Sequence, residues 1–315
     1  RSKETALCRA YSLNVSREII KELIKAKADV FKEDIAHMSA FAKATRQADF
    51  ESLNLMFENG AKLNKKNSIM PLQIAVAAEN LPLAKLLLSK GADIKGRTST
   101  GDTALHMAVH MDALKMIEFL ISSKVEIDAK NEGHWTAFQI AVFRGDLGVC
   151  KLLKNSKADM KVKVQGYSAI HTAAIYGRYK LIEFLLQNGS QVDEAYIDGS
   201  TPLILAIKYE NERVAKVLIR NKADVNAQDN ERVSVLHYAA AFKGNLSLVK
   251  SFIKQVKDIN LQTKKGQSVL YYPAINGDLE MIELLRAHGA KVTPRLLKKV
   301  TDPKILKVLK STKLN

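Results

Sequence analysis

The sequence predicts an all-α protein, a solenoid of stacked helix-turn-helix units joined by hairpin loops. Two observations predict it. A short sequence motif recurs about every 33 residues, as in residues 101–106 (GDTALH) and 166–171 (GYSAIH). Copies are followed by an apolar stretch that ends in a turn, as in residues 86–93 (LLLSKGAD). A repeat of this length indicates units that bury their apolar faces against their neighbours.

The units follow one another without a gap. Each begins at a Thr, a Ser or an equivalent residue, and successive starts are 31 to 34 residues apart. We expect an array over residues 1–293, followed by a basic C-terminal capping helix over residues 294–315. A chain of 315 residues need not split into two domains, because a solenoid grows by adding units. The nine predicted units begin near positions 5, 39, 70, 103, 136, 168, 201, 234 and 268.

The amino-acid sequence of the units resembles the ankyrin repeat. That repeat opens with Thr-Pro-Leu-His and closes with a Gly-Ala-Asp-Val-Asn loop, which residues 201–203 (TPL) and 222–227 (KADVNA) match closely. The resemblance covers nearly the whole chain. It implies paired antiparallel helices, hairpin loops and a role in binding other proteins.

Local signals agree with paired helices. Thr201 suits an N-cap and Pro202 suits the first helical position, where no amide donor is needed. Val149, Leu152 and Leu153 lie at i, i+3 and i+4 on a second helix. Four glycines are placed to end second helices in the left-handed conformation: Gly60, Gly91, Gly189 and Gly289.

The last unit and the tail differ from the rest. Pro273 lies inside the first helix of the last unit, which we expect to be kinked or shortened. Residues 291–315 carry eight basic residues and one acidic residue, a net charge of +7. Leu296, Val300 and Leu309 are among the apolar anchors of this segment, which favours a cap that shields the last unit from water.

Composition limits the class of protein. No apolar run is long enough to span a membrane, and nothing at the start of the chain resembles a signal peptide. We expect the two cysteines, Cys8 and Cys150, to be buried and reduced, which suits a cytoplasmic location. The nucleus and the inside of a host cell are alternative locations.

The chain begins at Arg1 rather than Met, which is consistent with a piece of a longer protein. We expect the chain to be monomeric.

No motif indicates catalysis. The chain has no Gly-rich phosphate loop, zinc-protease motif or nucleophile elbow. His106, His171 and His237 recur at one motif position, but they lie on different layers and are too far apart to share a metal ion. The resemblance implies that they are structural. We therefore predict neither an enzyme nor a cofactor or metal site.

The positions that vary between units carry the candidate binding residues. The resemblance implies that hairpin tips and the ends of the first helices face a concave groove. Tyr176 and Tyr209 occupy one repeat position, and Phe242 is in register with them to within one residue. Aromatic and arginine side chains supply much of the binding energy of interfaces, although packing between first helices is an alternative role. The predicted partner-binding set is Trp135, Phe143, Arg144, Tyr167, Tyr176, Tyr209 and Phe242.

The leading functional hypothesis is a non-catalytic scaffold that binds a protein partner through this groove. An acidic partner protein is one form of this hypothesis. The alternative is the targeting or regulatory region of a larger toxin, secreted effector or channel. A third hypothesis is that the basic tail binds anionic lipid or nucleic acid directly. The tail contains no aromatic residue, so stacking on single-stranded nucleic acid has little support.

Overall fold

The computed structural model describes residues 5–63, 70–242 and 244–311. In these residues the regular elements are helices, and the β-pairing consists of isolated bridges, such as the one joining Glu33 to Ser39 across a hairpin. The predicted all-α class is confirmed. The chain forms two compact units, residues 1–144 with 148–160 and residues 145–147 with 161–315.

In the first compact unit, short helices alternate along the chain with slightly longer ones. The helices are α1 (Ala6–Ser12), α2 (Arg17–Lys25), α3 (Ala40–Arg46), α4 (Phe50–Glu58), α5 (Pro71–Ala77), α6 (Leu81–Ser89), α7 (Ala104–His110), α8 (Leu114–Ser122), α9 (Ala137–Arg144) and α10 (Leu147–Asn155). The odd-numbered helices pack side by side, α1 on α3, α3 on α5, α5 on α7 and α7 on α9.

The second compact unit continues the alternation. Its helices are α11 (Ala169–Ile175), α12 (Tyr179–Gln187), α13 (Pro202–Lys208), α14 (Glu212–Arg220), α15 (Val235–Ala241), α16 (Leu246–Phe252), a 3-10 turn (Ile253–Gln255), α17 (Tyr271–Asn276), α18 (Leu279–Ala287), α19 (Pro294–Leu297) and α20 (Pro303–Lys310). Helices α11, α13, α15 and α17 form one row, and α12 packs on α14, which packs on α16.

The first helix of a pair begins directly after its polar N-cap residue. The hydroxyl of Thr103 accepts a hydrogen bond from the His106 backbone N–H, and the hydroxyl of Thr201 accepts one from the Ile204 N–H. Such a cap satisfies one of the amide donors that a helix start leaves without a partner. The threonine or serine that marks most of the repeat starts therefore also sets where the first helix begins.

The core of each compact unit consists of one apolar layer per helix pair. In the first unit, Met56, Leu87, Leu120 and Leu153 recur at the same place on successive second helices, and none is more than 1% exposed. Burial of a leucine side chain contributes about 1.5–3 kcal/mol. The first helices contribute smaller residues, such as Ala108, which let adjacent helices approach each other. The layers explain why the apolar pattern repeats with the length of the unit.

The last helix pair shows the expected effect of its proline. Helix α17 has six residues and begins at Tyr271, three positions after Ser268, whereas the corresponding helix α15 has seven. Pro273 thereby lies in the first turn of α17, where an amide would have no acceptor inside the helix. The Ser268 hydroxyl, which would otherwise cap the helix, is buried without a hydrogen-bond partner.

The tail corrects one expectation. The sequence predicts a single helix after residue 293, whereas the structure has two, α19 and α20. Pro303 cannot continue a helix, because it lacks an amide donor and restricts the residue before it. Asp302 instead caps α20 by accepting a hydrogen bond from the Lys304 N–H at 2.7 Å. Leu296 and Ile305 are nevertheless buried, so both helices pack onto the protein.

Candidate partner-binding surface

The ends of the first helices place three predicted residues at one structural position. Tyr176, Tyr209 and Phe242 are the C-cap residues of α11, α13 and α15. Because these helices pack side by side, the three positions form a row. Tyr176 and Tyr209 are 46% and 50% exposed, which is high for large aromatic side chains. The structure thus brings two of the predicted tyrosines onto one accessible face.

Phe242 departs from the other two. Its backbone is extended, with ψ 127°, whereas ψ is 11° at Tyr176 and 17° at Tyr209. Its side chain is half-buried. Phe242 shares the repeat position of the two tyrosines, but its ring is less exposed than theirs. The exposed part of the row therefore consists of Tyr176 and Tyr209.

The backbone beside Tyr176 is held by the next helix pair. The side-chain amide of Asn211 donates hydrogen bonds to the carbonyls of Ala174 and Ile175, at 2.8 and 2.7 Å. Gly177 follows with φ 71°, and a Cβ there would approach the Asn211 carboxamide to 2.7 Å. The left-handed conformation favours glycine here, and a larger residue would displace the Asn211 side chain from its hydrogen bonds. These contacts fix the end of α11 and hence the base of the Tyr176 side chain.

A second group of aromatic residues lies at the hairpin tips. The rings of Tyr167 and Tyr196 stack with centroids 3.8 Å apart and an interplanar angle of 5°. The Tyr196 hydroxyl donates to the carbonyl of Gln165 at 3.1 Å. Burial against the neighbouring phenol raises the pKa of Tyr167 to about 12. Beside the pair, Ile197 is 78% exposed.

Tyr196 and Ile197 were missed by the sequence reasoning. They lie five and four residues before the unit marker Thr201, whereas Tyr167 directly precedes its own marker, Ser168. A comparison of equivalent repeat positions therefore cannot pair them. The available signal was an aromatic and an aliphatic residue together in a loop that is otherwise polar.

In the first compact unit, Trp135 is less free than a hairpin tip suggests. Its ring packs edge-to-face on Phe143 at 5.8 Å, and the indole is half-buried. Asn131 ties down its backbone by accepting from its N–H and donating to its carbonyl, both at 3.0 Å. Phe143 is 37% exposed and Arg144 is also exposed. These three residues form a smaller accessible patch in which Trp135 also has a packing role.

The three motif histidines connect neighbouring helix pairs. Nδ1 of His106 lies 2.8 Å from the Thr103 hydroxyl, and its Nε2 donates to the carbonyl of Trp135 at 2.9 Å. His171 repeats this arrangement with Ser168 and the Glu194 carbonyl. His237 repeats it with the carbonyl of Gln267, at 3.2 Å. Both ring nitrogens of each histidine are thus engaged in structural hydrogen bonds.

These rings are neutral in the folded protein. A carbonyl can only accept, so Nε2 carries the proton, and Nδ1 accepts from the backbone N–H of the cap residue, as in His106 with Thr103 at 3.1 Å. Burial is the main cause that lowers the pKa of His106, His171 and His237. Burial disfavours the charged form because the interior solvates it poorly.

Stability is therefore expected to fall as the pH drops below about 6.5, the pKa of an unfolded histidine. Below that pH the unfolded chain binds protons that the folded chain does not, and this shifts the equilibrium towards unfolding. Urea denaturation at pH 7.5 and 5.5 measures the effect, and most carboxylates stay ionised in that interval. A midpoint that does not change between the two pH values would contradict this account.

None of the helices among the described residues is long and apolar enough to cross a membrane. Both cysteines are buried, and neither forms a disulfide. Helix pairs repeated along the chain, with capped first helices and hairpins joined through histidines, define a helical-repeat protein.

Comparison with known proteins specifies the repeat. A family model described as ankyrin repeats matches residues 41–131, 113–196, 138–229 and 236–299, which together cover most of the chain. The chain belongs to the ankyrin-repeat family, and the resemblance seen in the sequence is confirmed. Ankyrin repeats are generally protein–protein interaction modules, and proteins of this family are typically non-catalytic scaffolds.

The proteins that are similar to it include two human ones. The human BCL-6 corepressor-like protein 1 is 34% identical over 106 residues, which are 33% of this chain and 6% of that protein. The chain therefore matches only a small part of that relative. The crystal structure of the human ASB11 ankyrin repeat domain matches with a TM-score of 0.62 and 22% identity, over 71% of this chain and 99% of that domain. The similarity to the ASB11 domain is one of fold alone.

Proposed function

We propose that the chain is a non-catalytic scaffold that holds a protein partner against the hairpin tips and the ends of its first helices. The observation that carries this proposal is the pair of equivalent C-cap tyrosines, Tyr176 and Tyr209, each about half exposed. Large aromatic side chains are enriched among the residues that dominate binding energy. A tyrosine whose backbone is already ordered has little conformational entropy left to lose on binding.

The neighbouring residues fit the same role. The stacked pair of Tyr167 and Tyr196 with exposed Ile197 offers a rigid apolar surface at the hairpin tips. Trp135, Phe143 and Arg144 form the corresponding patch of the first compact unit. Trp135 contributes to packing as well, so a truncation of that residue would change stability together with binding. The two C-cap tyrosines therefore give the sharper test.

The test replaces both tyrosines in the variant Tyr176→Ala/Tyr209→Ala. The matched control is Tyr179→Ala, which removes a tyrosine that is 37% exposed on the second helix α12. Loss of one interface anchor costs about 2 kcal/mol, or roughly 30-fold in affinity. We expect the double variant to lose its partner by more than about 100-fold, while the control binds as the original chain does.

The partner is obtained with a photo-crosslinking amino acid placed at position 209 of the full chain, in extracts of the cells that produce it. The crosslinked protein is then purified, and its affinity is measured by calorimetry for the original chain and both variants. Circular dichroism checks that the helical content is unchanged. Equal affinity of the double variant and the original chain would show that the partner does not bind at the two C-cap tyrosines.

A second candidate is that the array serves as the targeting or regulatory region of a larger protein. It is supported by the similarity to a curated relative of which the matched segment is only 6%. The mass of the intact protein in its source cells distinguishes the two, since this chain alone has a mass of 35.0 kDa.

A further inference from the structure

Helix α20 presents positive charge on one side only. On α20, Ile305 and Leu309 are buried, whereas Lys304, Lys307 and Lys310 are exposed. Residues spaced by three lie close together on a helix surface. We call these three residues the lysine face. It points away from the apolar side with which α20 packs on the protein.

More exposed charge surrounds the lysine face. Over residues 291–311 the chain has seven basic residues, all exposed, and one acidic residue. That acidic residue, Asp302, is engaged as the N-cap of α20. No ion pair to a carboxylate is found for these basic residues within the described part of the chain. The basic residues outside the lysine face are Lys291, Arg295, Lys298 and Lys299.

The segment is held firmly in this orientation. Arg286, on α18, donates hydrogen bonds to the carbonyls of Val308 and Ser311, the second at 2.6 Å. Helix α20 packs on α18, and Leu309 is 3% exposed. The apolar side is therefore occupied, and only the cationic side is available to a partner.

We propose that the lysine face and its basic surroundings dock the protein on an anionic membrane surface. Three lysines on a straight helix span about 9 Å, at 1.5 Å of rise per residue, and form a row rather than a groove. Such a row fits a flat, laterally mobile array of negative headgroups. Clusters of four to eight basic residues on an amphipathic helix are typical of binding to anionic lipid.

The residue types favour lipid over nucleic acid. The lysine face has no arginine, asparagine or glutamine, whose planar side chains read base edges with paired hydrogen bonds of fixed geometry. The one arginine of the segment, Arg295, packs close to Gly266 of the preceding hairpin. No aromatic residue lies in residues 291–311, so bases have no stacking platform. Lysine acts as a point charge on a flexible stem, which needs no fixed geometry in its ligand.

The segment also predicts the mode of binding. Among residues 291–311, no large apolar side chain is markedly exposed. Without an apolar group to insert, attachment depends on charge, so salt must weaken it steeply. Each lysine near an anionic surface strengthens binding about fivefold.

The experiment measures sedimentation of the full chain with two kinds of vesicle, phosphatidylcholine alone and phosphatidylcholine with about 30 mol % phosphatidylserine. The test variant is Lys304→Gln/Lys307→Gln/Lys310→Gln. The control is Lys115→Gln/Lys151→Gln/Lys180→Gln, which removes the same charge from exposed positions on second helices. Circular dichroism verifies that both variants are folded.

We expect the original chain to bind only the anionic vesicles, and about 150 mM salt to weaken binding relative to about 50 mM. The test variant should bind roughly 100-fold more weakly and the control less than about threefold. An equal loss in both variants would overturn the proposal, because net charge alone would then explain binding. Failure to bind anionic vesicles, or tighter binding to a short DNA duplex through the same three lysines, would overturn it as well.

Discussion

Deletion of residues 294–315 is expected to destabilise the protein by several kcal/mol and to make it aggregate. The segment buries Leu296, Val300, Ile305 and Leu309, none of them more than 6% exposed. Burial of one such side chain contributes about 1.5–3 kcal/mol, and the surface beneath it becomes exposed when the segment is removed. The last unit of a repeat array needs a polar outer layer to remain soluble.

Urea denaturation and the binding of a hydrophobic dye measure the two effects. The triple variant Lys304→Gln/Lys307→Gln/Lys310→Gln is a useful comparison, because it keeps the buried side of α20 and should change stability by less than about 1 kcal/mol. The substitution Leu309→Ala should cost about 2–4 kcal/mol. If the truncated chain is as soluble and stable as the full one, the segment is a docking arm and not a cap.

The two roles proposed for α20, as a cap and as a docking surface, fall to different residues. Its apolar residues are buried, so we expect them to determine stability, and its lysines are exposed, so we expect their replacement to change stability little. Deletion tests the first role, and charge removal tests the second.

The repeating features of the fold could be predicted from the sequence because one residue type serves one physical purpose in many units. Thr103 and Thr201 cap helices for the same reason, and Gly91 ends a second helix with φ 87°. At Lys27 and Lys124 the corresponding turns have positive φ without glycine. The repeat sets the backbone there against the local preference of the residue, so glycine alone does not mark every helix end.

The candidate site was predicted less completely, because its contacts join different repeat positions. The stack of Tyr167 on Tyr196 connects residues from two adjacent hairpins. The packing of Trp135 on Phe143 depends on how a hairpin folds back over its own helix. The backbone at Phe242 departs from its equivalents although the spacing is regular. Periodicity locates residues along the repeat, whereas exposure depends on contacts between positions that the repeat does not align.

The substitution His171→Ala is expected to lower the free energy of unfolding by about 2–4 kcal/mol. His171 is fully buried, and it links Ser168, at the start of α11, to the carbonyl of Glu194 in the next hairpin, at 2.7 Å. Alanine removes the cap interaction, leaves that carbonyl without its donor and creates a cavity. Because the bond joins two helix pairs, the loss weakens the interface between units as well as one helix.

The exposed His110, at the end of α7, provides the control, since His110→Ala should change stability by less than about 0.5 kcal/mol. Hydrogen exchange locates the effect, and we expect faster exchange across residues 168–196 in the His171 variant. A chelator separates the structural role from metal binding. If His171 held a metal ion, the chelator would destabilise the original chain and leave the variant unchanged. The hydrogen bonds at both ring nitrogens predict that the chelator has no effect on either protein.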